Sequence, residues 1–329
     1  MTRAFIRPQD LAFVLREYRP AARLVRIDRL TGASKKGVYR LGLDDGSTVI
    51  LYAWSAAENY WPAADDPADD PFSDATGPDL LAAASSALAA AGVRTPQIYG
   101  WDNSRTVVPA DLALVEDVRG GSLEDLLSAD PAAAARPLSL LGDALRAMAG
   151  RHAARYGKAA FVASAHSEQA SRPEDVVLTR ALRHLGLASE RSGPLADVRD
   201  DVAELLTGRH RVIIPRAQYA LVHGELGPDH VLLTQEREPV IIDIEGLTYF
   251  DVEWEHAFLR IRFKPSHLAA MCLAPRDEDR VAFYVLAQRI SLIEGPLRIA
   301  ATDYPDRDWM LALADYQLGR VLAELSMRA

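Results

Sequence analysis

Apolar and polar positions alternate through the first part of the chain. Residues 23–32, 37–46 and 47–54 show this alternation and are rich in β-branched side chains, which is typical of strands with one buried face. Asp45 and Gly46, at the end of the second stretch, form a strong two-residue hairpin signal. The pattern predicts two or three strands of an antiparallel sheet.

The next part of the chain breaks the alternation. Residues 58–79 carry several prolines and many aspartates, a composition that resists packing and predicts an exposed connector. A helix is predicted over 80–91, ending at Gly92, a residue type that commonly terminates helices. The apolar run 111–118 predicts a further buried strand, and Gly120 and Gly121 then lead into a capped helix at 122–127.

From residue 136 onward the spacing of apolar residues is mostly helical. The predicted fold class is α+β and bilobal, with a small antiparallel-sheet lobe over residues 1–117 and a larger, mainly helical lobe over 118–329. The sequence patterns of the second lobe predict helices at 136–157, 173–187, 195–208 and from 252 to the end, interrupted by short strands at 219–224 and 239–246.

Composition and net charge restrict the kinds of function that the protein can have. The 329 residues, 49% of them hydrophobic, suffice for a packed core and two lobes. A formal net charge of −9 argues against nucleic acid or an anionic membrane as the main partner, since both require clustered positive charge. Cys272 is the single cysteine, which excludes an intrachain disulfide. Because no signal peptide or apolar segment of membrane-spanning length is apparent, a cytoplasmic location is expected.

A specific motif lies at residues 221–233, "LVHGELGPDHVLL", and "IIDIEG" follows about a dozen residues later. Together with the Gly-containing turn at 32–37 and the strand leading to "VEDV", this order of elements resembles the aminoglycoside phosphotransferase family, within the protein-kinase-like fold. The resemblance in order and spacing covers nearly the whole chain. It implies an enzyme that uses ATP or GTP with Mg or Mn.

The family's catalytic loop reads His-Gly-Asp, four further residues and Asn, followed by a strand that ends in a metal-binding Asp. This resemblance aligns His223 with the first position, Glu225 with the catalytic carboxylate, His230 with the asparagine and Asp243 with the metal ligand. Glu245, two residues beyond Asp243, is expected to point to the same face of the strand end and to meet the same cation.

Two of these positions carry altered residues. Glu225 keeps the acid of an aspartate, since the usual pKa values of the two side chains are about 4.3 and 3.9, but its carboxylate lies roughly 1.5 Å further from the backbone. Magnesium prefers oxygen ligands, so His230 is interpreted as a metal ligand, as a cation that contacts phosphate or as a packing residue. His223 is expected to brace the loop by hydrogen bonds.

The third altered position lies in the first lobe. Kinase-like folds pair a third-strand lysine with the nucleotide phosphates, and Tyr52 occupies that position here. The following helix has no evident glutamate partner, and Asp79 at its start is the nearest candidate, so the usual ion pair is expected to be missing. Lys35 and Lys36, two of only four lysines in the chain, lie in the turn expected to cover the phosphates. They are predicted to replace the missing lysine; the alternative is a solvated surface pair.

The resemblance also places the nucleotide base at the segment that joins the lobes, with the Val115 carbonyl and the Asp117 N–H as candidate partners. Asp251 and Glu255 are interpreted as structural bracing. Transfer of phosphate to a hydroxyl of a small molecule, in antibiotic resistance or biosynthesis, is the leading hypothesis. A non-catalytic kinase-like binding or regulatory protein and a Ser/Thr kinase for a peptide natural-product precursor are the alternatives.

Overall fold

Five antiparallel strands form the first sheet of the computed structural model. Gly46, at φ +82°, occupies the turn between the second and third strands, where a left-handed conformation favours glycine. The predicted strands are confirmed, and one more, at 98–102, is too short to show an alternating pattern. The strands are β1 (Leu24–Arg29), β2 (Gly37–Leu43), β3 (Thr48–Trp54), β4 (Ile98–Asp102) and β5 (Asp111–Glu116), in the order β1-β2-β3-β5-β4.

The helix α1 (Pro78–Ala90) packs against one face of this sheet. Its buried residues Leu81, Ala84 and Leu88 share a core with Ile50 and Val115. Burying a leucine or valine side chain contributes about 1.5–3 kcal/mol, so this face holds helix and sheet together. Gly92 follows the helix at φ +74°, the left-handed conformation that ends helices.

Helices dominate the rest of the chain, as predicted. The long helix Glu278–Ala300 packs against the helices Pro173–Ser189, Val252–Arg262 and Arg307–Ser326 and forms the centre of a second core. The helices are α2 (Leu123–Ala129), α3 (Ala135–Ala149), α4 (Ala159–Val162), α5 (Pro173–Ser189), α6 (Gly193–Ala196), α7 (Arg199–His210), α8 (Val252–Arg262), α9 (Pro265–Met271), α10 (Glu278–Ala300) and α11 (Arg307–Ser326).

Short strands lie among these helices and carry the loops of interest. Only the strands at 219–222 and 239–241 correspond to predicted ones; the others are two or three residues long and leave no periodic signal. They are β6 (His152–Ala153), β7 (Gly157–Lys158), β8 (Tyr219–Val222), β9 (Val231–Leu233), β10 (Pro239–Ile241) and β11 (Thr248–Phe250). β9 pairs with β10, and the other four form a sheet in the order β6-β8-β11-β7.

The structure describes residues 3, 5–7, 11, 15, 18, 20–62, 70–73, 75–162 and 171–327. Residues 63–69 and 74 of the predicted connector therefore lie outside the described residues, as do residues 163–170. Within the described part of the chain, no helix combines the length and apolar character needed to cross a membrane.

The prediction of an exposed connector at 58–79 is wrong for several described residues. Glu58, Tyr60, Asp70 and Ser73 are buried. Their polar groups are paired: Arg29 donates to Glu58, for example, with Nη2 2.8 Å from Oε2. Pairing with a distant arginine removes the cost of burying a carboxylate, and composition alone does not reveal such a partner.

A buried network braces the start of α8. Asp251 accepts hydrogen bonds from Arg280 and Tyr284, and all three side chains are almost fully buried. Burial raises the pKa of Asp251, and the Arg280 guanidinium opposes this shift. The geometry agrees with the bracing role interpreted from the sequence, because this network ties α8 to α10.

A buried histidine, His184, and a partly buried one, His256, make stability depend on pH. His184 is 2% exposed, and burial together with Arg180 and Arg183 lowers its pKa to about 2, while that of His256 is lowered to about 4. Since the unfolded imidazole has a pKa of about 6.5, the unfolded state binds more protons below that pH. Each histidine then costs up to about 1.4 kcal/mol of stability per pH unit as the pH falls.

Urea unfolding between about pH 7.5 and 5.5 measures this effect. In His184→Gln, the free energy of unfolding is expected to fall less steeply as the pH is lowered. The difference in slope from the wild-type protein should correspond to close to one proton taken up on unfolding. Parallel losses of stability in the two proteins would show that His184 is not the titrating group.

Candidate active site

The loop after β8, which begins at His223, is held in place by hydrogen bonds to Glu255 and Ile242. The backbone N–H groups of His223 and Gly224 donate to Glu255 Oε2, at 2.5 and 3.0 Å. His223 Nε2 donates to the Ile242 carbonyl at 3.0 Å, and its Nδ1 accepts from the Glu225 N–H at 3.3 Å. Burial raises the pKa of Glu255, against the opposing effect of His223. His223 therefore connects the loop to the segment after β10.

Glu225 projects from the exposed side of this loop. Gly224, at φ +86°, turns the chain where a Cβ would lie 3.2 Å from Trp254 Nε1. Glu225 follows as an exposed residue in an otherwise buried run. Across the described ranges, no side chain forms a hydrogen bond or ion pair with its carboxylate, which leaves that group available to a ligand.

The far end of the loop is fixed by an ion pair that sequence reasoning missed. Arg262 Nη2 lies 2.7 Å from Asp229 Oδ1, and a Cβ on Gly227 would lie 2.3 Å from the same oxygen. A larger residue at position 227 would therefore displace the Asp229 and Arg262 side chains from this ion pair. No local pattern signals the pair, because the two partners are 33 residues apart.

Asp243 and Glu245 lie close together, as predicted, but they are not in a strand. β10 ends at Ile241, Asp243 is left-handed at φ 59°, and a 3₁₀ turn over Ile244–Gly246 carries Glu245. Strand alternation therefore does not bring them together. The Asp243 side chain is 46% exposed, whereas that of Glu245 is 3% exposed.

Lys36 occupies the space between these two carboxylates. Its Nζ lies 2.9 Å from Asp243 Oδ1, contacts Glu245 Oε1 and sits 5.0 Å from the centre of the Tyr52 ring. β2 starts one residue later, where Gly37 pairs with Ala53 of β3. From the turn before β2, Lys36 thus brings an ammonium group next to the side chain of Tyr52, the residue at the usual lysine position.

The charges of this cluster support one another. Burial by itself lowers the pKa of Lys36, but Asp243 and Glu245 outweigh it and the pKa is raised. Lys36 in turn holds the pKa of Asp243 well below its ordinary value, against the effect of burial, and His230 adds to this. Burial raises the pKa of Tyr52 to about 12. Lys36 is therefore a cation and Asp243 an anion at neutral pH.

The two lysines of the predicted pair have different surroundings in the structure. Lys35 Nζ lies 5.2 Å from the centre of the Trp61 ring instead of beside Asp243. Asp79 is exposed at the start of α1, and the acidic partners of Lys36 are Asp243 and Glu245. Asp79 therefore does not pair with the lysine of this site, because that lysine comes from the turn before β2 and meets carboxylates of the 243–245 segment instead.

His230 faces Asp243 with one ring nitrogen. Its Nδ1 lies 2.8 Å from the Glu225 carbonyl oxygen and must donate, since a carbonyl only accepts. In the neutral ring, Nε2 then carries a lone pair, and it lies 3.9 Å from Asp243 Oδ2. This orientation fits a metal ligand, with a nitrogen donor that suits Mn better than Mg.

Within the described residues, no group of three or more His, Cys, Asp or Glu side chains could hold a metal ion alone. A pair such as Asp243 and His230 fits an ion that keeps waters and takes its other ligands from substrate phosphates, as Mg usually does. The cation that Glu245 meets in this arrangement is the Lys36 ammonium, and a metal role for Glu245 stays a prediction.

The predicted base-binding residues lie at the end of β5. Val115 pairs with Ile50 on one side and Ile98 on the other, and its side chain lines a small cleft beside Asp243. The Asp117 carboxylate is buried and bound by Arg40, Thr48 and Arg119. The roles of the Val115 carbonyl and the Asp117 N–H stay predictions.

The fold is shared with solved phosphotransferase structures. A thermostable mutant of aminoglycoside phosphotransferase APH(4)-Ia, in a ternary complex with ADP and hygromycin B, is 14% identical, with 94% of this chain and 97% of that chain covered and a TM-score of 0.59. The GDP and kanamycin complex of APH(2")-IIia is 17% identical, with 95% and 99% covered and a TM-score of 0.62.

A putative fructosamine-3-kinase from Thermobifida fusca is likewise 17% identical, with 97% and 99% covered and a TM-score of 0.51. No curated protein matches the chain. The predicted bilobal, protein-kinase-like α+β fold is thereby confirmed. The chain therefore has a kinase-like fold.

Residues 75–284 match the model of the phosphotransferase enzyme family, APH, which is more than half of the chain. The chain belongs to this family, as its sequence resemblance predicted. Family membership supports phosphotransferase activity on a small molecule. The matched residues include the 223–230 loop and Asp243, while Lys36 lies before them.

Proposed function

We propose that the protein transfers the γ-phosphate of ATP or GTP to a hydroxyl group of a small molecule. One observation carries this proposal: a continuous series of contacts links Lys36 through Asp243 and His230 to Glu225. The successive distances are 2.9 Å, 3.9 Å and, to the Glu225 carbonyl, 2.8 Å. Phosphoryl transfer requires positioning and charge neutralisation, and this series provides a cation and an anion close to the residue that carries the exposed carboxylate.

Each side chain has a distinct task on the nucleotide side. Lys36 neutralises phosphate oxygens, and Glu245 holds its ammonium from the buried side. Asp243 and His230 would hold the divalent ion, Mg or Mn, which neutralises phosphate charge when bound. Lys36 thus supplies the cation that Tyr52 lacks, and His230 supplies a metal ligand in place of the family's asparagine.

Glu225 acts on the acceptor side. Its carboxylate accepts a hydrogen bond from the acceptor hydroxyl and takes its proton as the oxygen attacks the γ-phosphorus. The bond between that phosphorus and the β–γ bridging oxygen breaks, and the nucleoside diphosphate leaves. Because Glu225 is exposed, it can return the proton to solvent.

A transfer assay tests the proposal. The protein is incubated with γ-labelled ATP or GTP, Mg or Mn, and a panel of hydroxyl-bearing small molecules that includes aminoglycosides and sugars. We expect labelled, phosphorylated acceptor with at least one of them. Tight nucleotide binding without transfer under any condition would instead favour a binding or regulatory protein.

Lys36 is predicted to bind the nucleotide, whereas Lys35 is not required. Lys36→Met should weaken nucleotide affinity by about 1–3 kcal/mol, the contribution of a hydrogen bond to a charged group. Lys35→Met is the matched control, since its ammonium contacts Trp61. Isothermal titration measures both, and equal affinities in the two variants would contradict the assignment.

A relocated lysine provides a second test of the same role. Lys36→Met combined with Tyr52→Lys places an ammonium on β3, close to the space that Lys36 Nζ occupies 5.0 Å from the Tyr52 ring centre. We expect this double variant to bind nucleotide more tightly than Lys36→Met alone. Equal binding of the two would show that the charge at this place is not what matters.

A further inference from the structure

The turn that carries Lys36 is fastened to a segment of the connector. We define the phosphate turn as residues 30–36, between β1 and β2. Within it, the Ser34 carbonyl accepts from the Tyr60 N–H at 2.8 Å, and Ser34 Oγ accepts from Trp61 Nε1 at 2.9 Å. Two consecutive residues of the connector therefore hold one residue of the turn, two positions before Lys36.

Trp61 is fixed on its other side by α10. A Cβ on Gly295 would lie 3.0 Å from Trp61 Cη2, so glycine at this position lets the indole ring approach the helix closely. The Arg298 guanidinium lies 4.9 Å from the ring centre, and Lys35 Nζ lies 5.2 Å from it. Cations are attracted to an indole face, so both side chains help to hold the ring in place.

Tyr60 anchors the same segment among the last two helices. It is buried with Ile299, Ala300, Tyr304 and Met310, and its ring centre lies 5.2 Å from that of Tyr304. The segment is thus packed against α10 and α11 while its backbone and the Trp61 N–H hold the phosphate turn. Contacts of this kind connect the turn, which precedes β2, to the C-terminal helices.

We propose that Trp61 is a positioning residue for nucleotide binding: it fixes the phosphate turn against α10 and thereby holds Lys36 in the site. This inference rests on the proposed nucleotide-binding role of Lys36. The physical reason is preorganisation, because a turn that is already ordered loses less conformational entropy when the nucleotide binds. Trp61 acts through Lys36 and needs no contact with the nucleotide itself.

The first experiment compares Trp61→Phe, Trp61→Ala and Ser34→Ala. Trp61→Phe and Ser34→Ala each remove the hydrogen bond between the indole and the turn, and we expect nucleotide KM and Kd to rise by about 3- to 10-fold, the scale of one net hydrogen bond. Trp61→Ala also removes the ring and should have the larger effect. At saturating nucleotide, kcat should stay within about 2-fold in all three, because the catalytic carboxylate is untouched.

Trp309→Ala is the matched control, since Trp309 is on α11 and 50% exposed, and it should leave KM unchanged. A purely structural role of Trp61 would lower Tm while leaving the nucleotide KM of the folded protein unaltered, and that result would overturn the proposal. If Trp61→Ala does not fold, Trp61→Phe and Ser34→Ala decide the question.

A double-mutant cycle separates this proposal from the role of Lys36. Lys36→Met with Trp61→Ala should bind nucleotide about as weakly as Lys36→Met alone, because Trp61 acts through that lysine. Additive losses would overturn the positioning role. If Lys36→Met weakens binding but the Trp61 variants do not, Trp61 has no such role and the proposed function stands; if Lys36→Met has no effect, the lysine assignment itself fails.

Discussion

Asp243→Ala is expected to abolish the metal-dependent rise in Tm that nucleotide produces. Asp243 is the one carboxylate of its cluster that is both half-exposed and held ionised by a neighbouring ammonium. Its free oxygen faces His230 Nε2. Removing it leaves the imidazole as the remaining protein ligand, which is too little to hold a hard divalent cation beside phosphate.

Differential scanning calorimetry measures the Tm with nucleotide and either Mg, Mn or a chelator, and two further variants are compared with Asp243→Ala. Asp243→Asn keeps the size of the side chain while removing its charge, and should behave like the alanine variant. Glu245→Gln removes a carboxylate that is buried against Lys36, and should weaken nucleotide binding while its dependence on metal persists. A wild-type metal response in Asp243→Asn would show that the ion is held elsewhere.

Glu225→Gln is expected to reduce phosphate transfer by about 10²-fold or more, the scale of a lost general base, with nearly unchanged nucleotide affinity. The amide keeps the shape of the carboxylate and cannot take the hydroxyl proton. Since the Glu225 carboxylate has no hydrogen-bond partner among the residues that the structure describes, the change should leave the fold intact. Steady-state kinetics with a phosphorylated acceptor, and nucleotide titration, measure the two quantities separately.

Restoring the usual family residues gives a complementary result. Glu225→Asp with His230→Asn exchanges a nitrogen donor for an oxygen donor next to Asp243, so we expect metal preference to shift from Mn toward Mg. An increase in transfer from zero in the wild-type protein to measurable activity in this double variant would mean that the natural loop is inactive.

Several parts of the fold follow from local sequence. The strands at 24–29, 37–43 and 48–54 match the alternating stretches because burial of one face selects period two. Gly92 ends α1 for a reason that is visible in its own residue type. The "HGELGPDH" loop and the "IDIE" segment could likewise be aligned with the family's catalytic loop and metal-binding strand end. The alignment needs only the order of these residues and the number of residues between them, and both are read directly from the sequence.

The sequence by itself determined the class of fold, the loop that carries Glu225 and His230, and the presence of two unusual lysines. Only the tertiary structure decided that Lys36, and not Lys35, meets Asp243 and Glu245, across more than 200 residues of chain. It also decided that part of an aspartate-rich connector is buried. The physical reason is that periodicity and caps encode local preferences, whereas a buried charge is stable only beside a partner that folding brings from elsewhere.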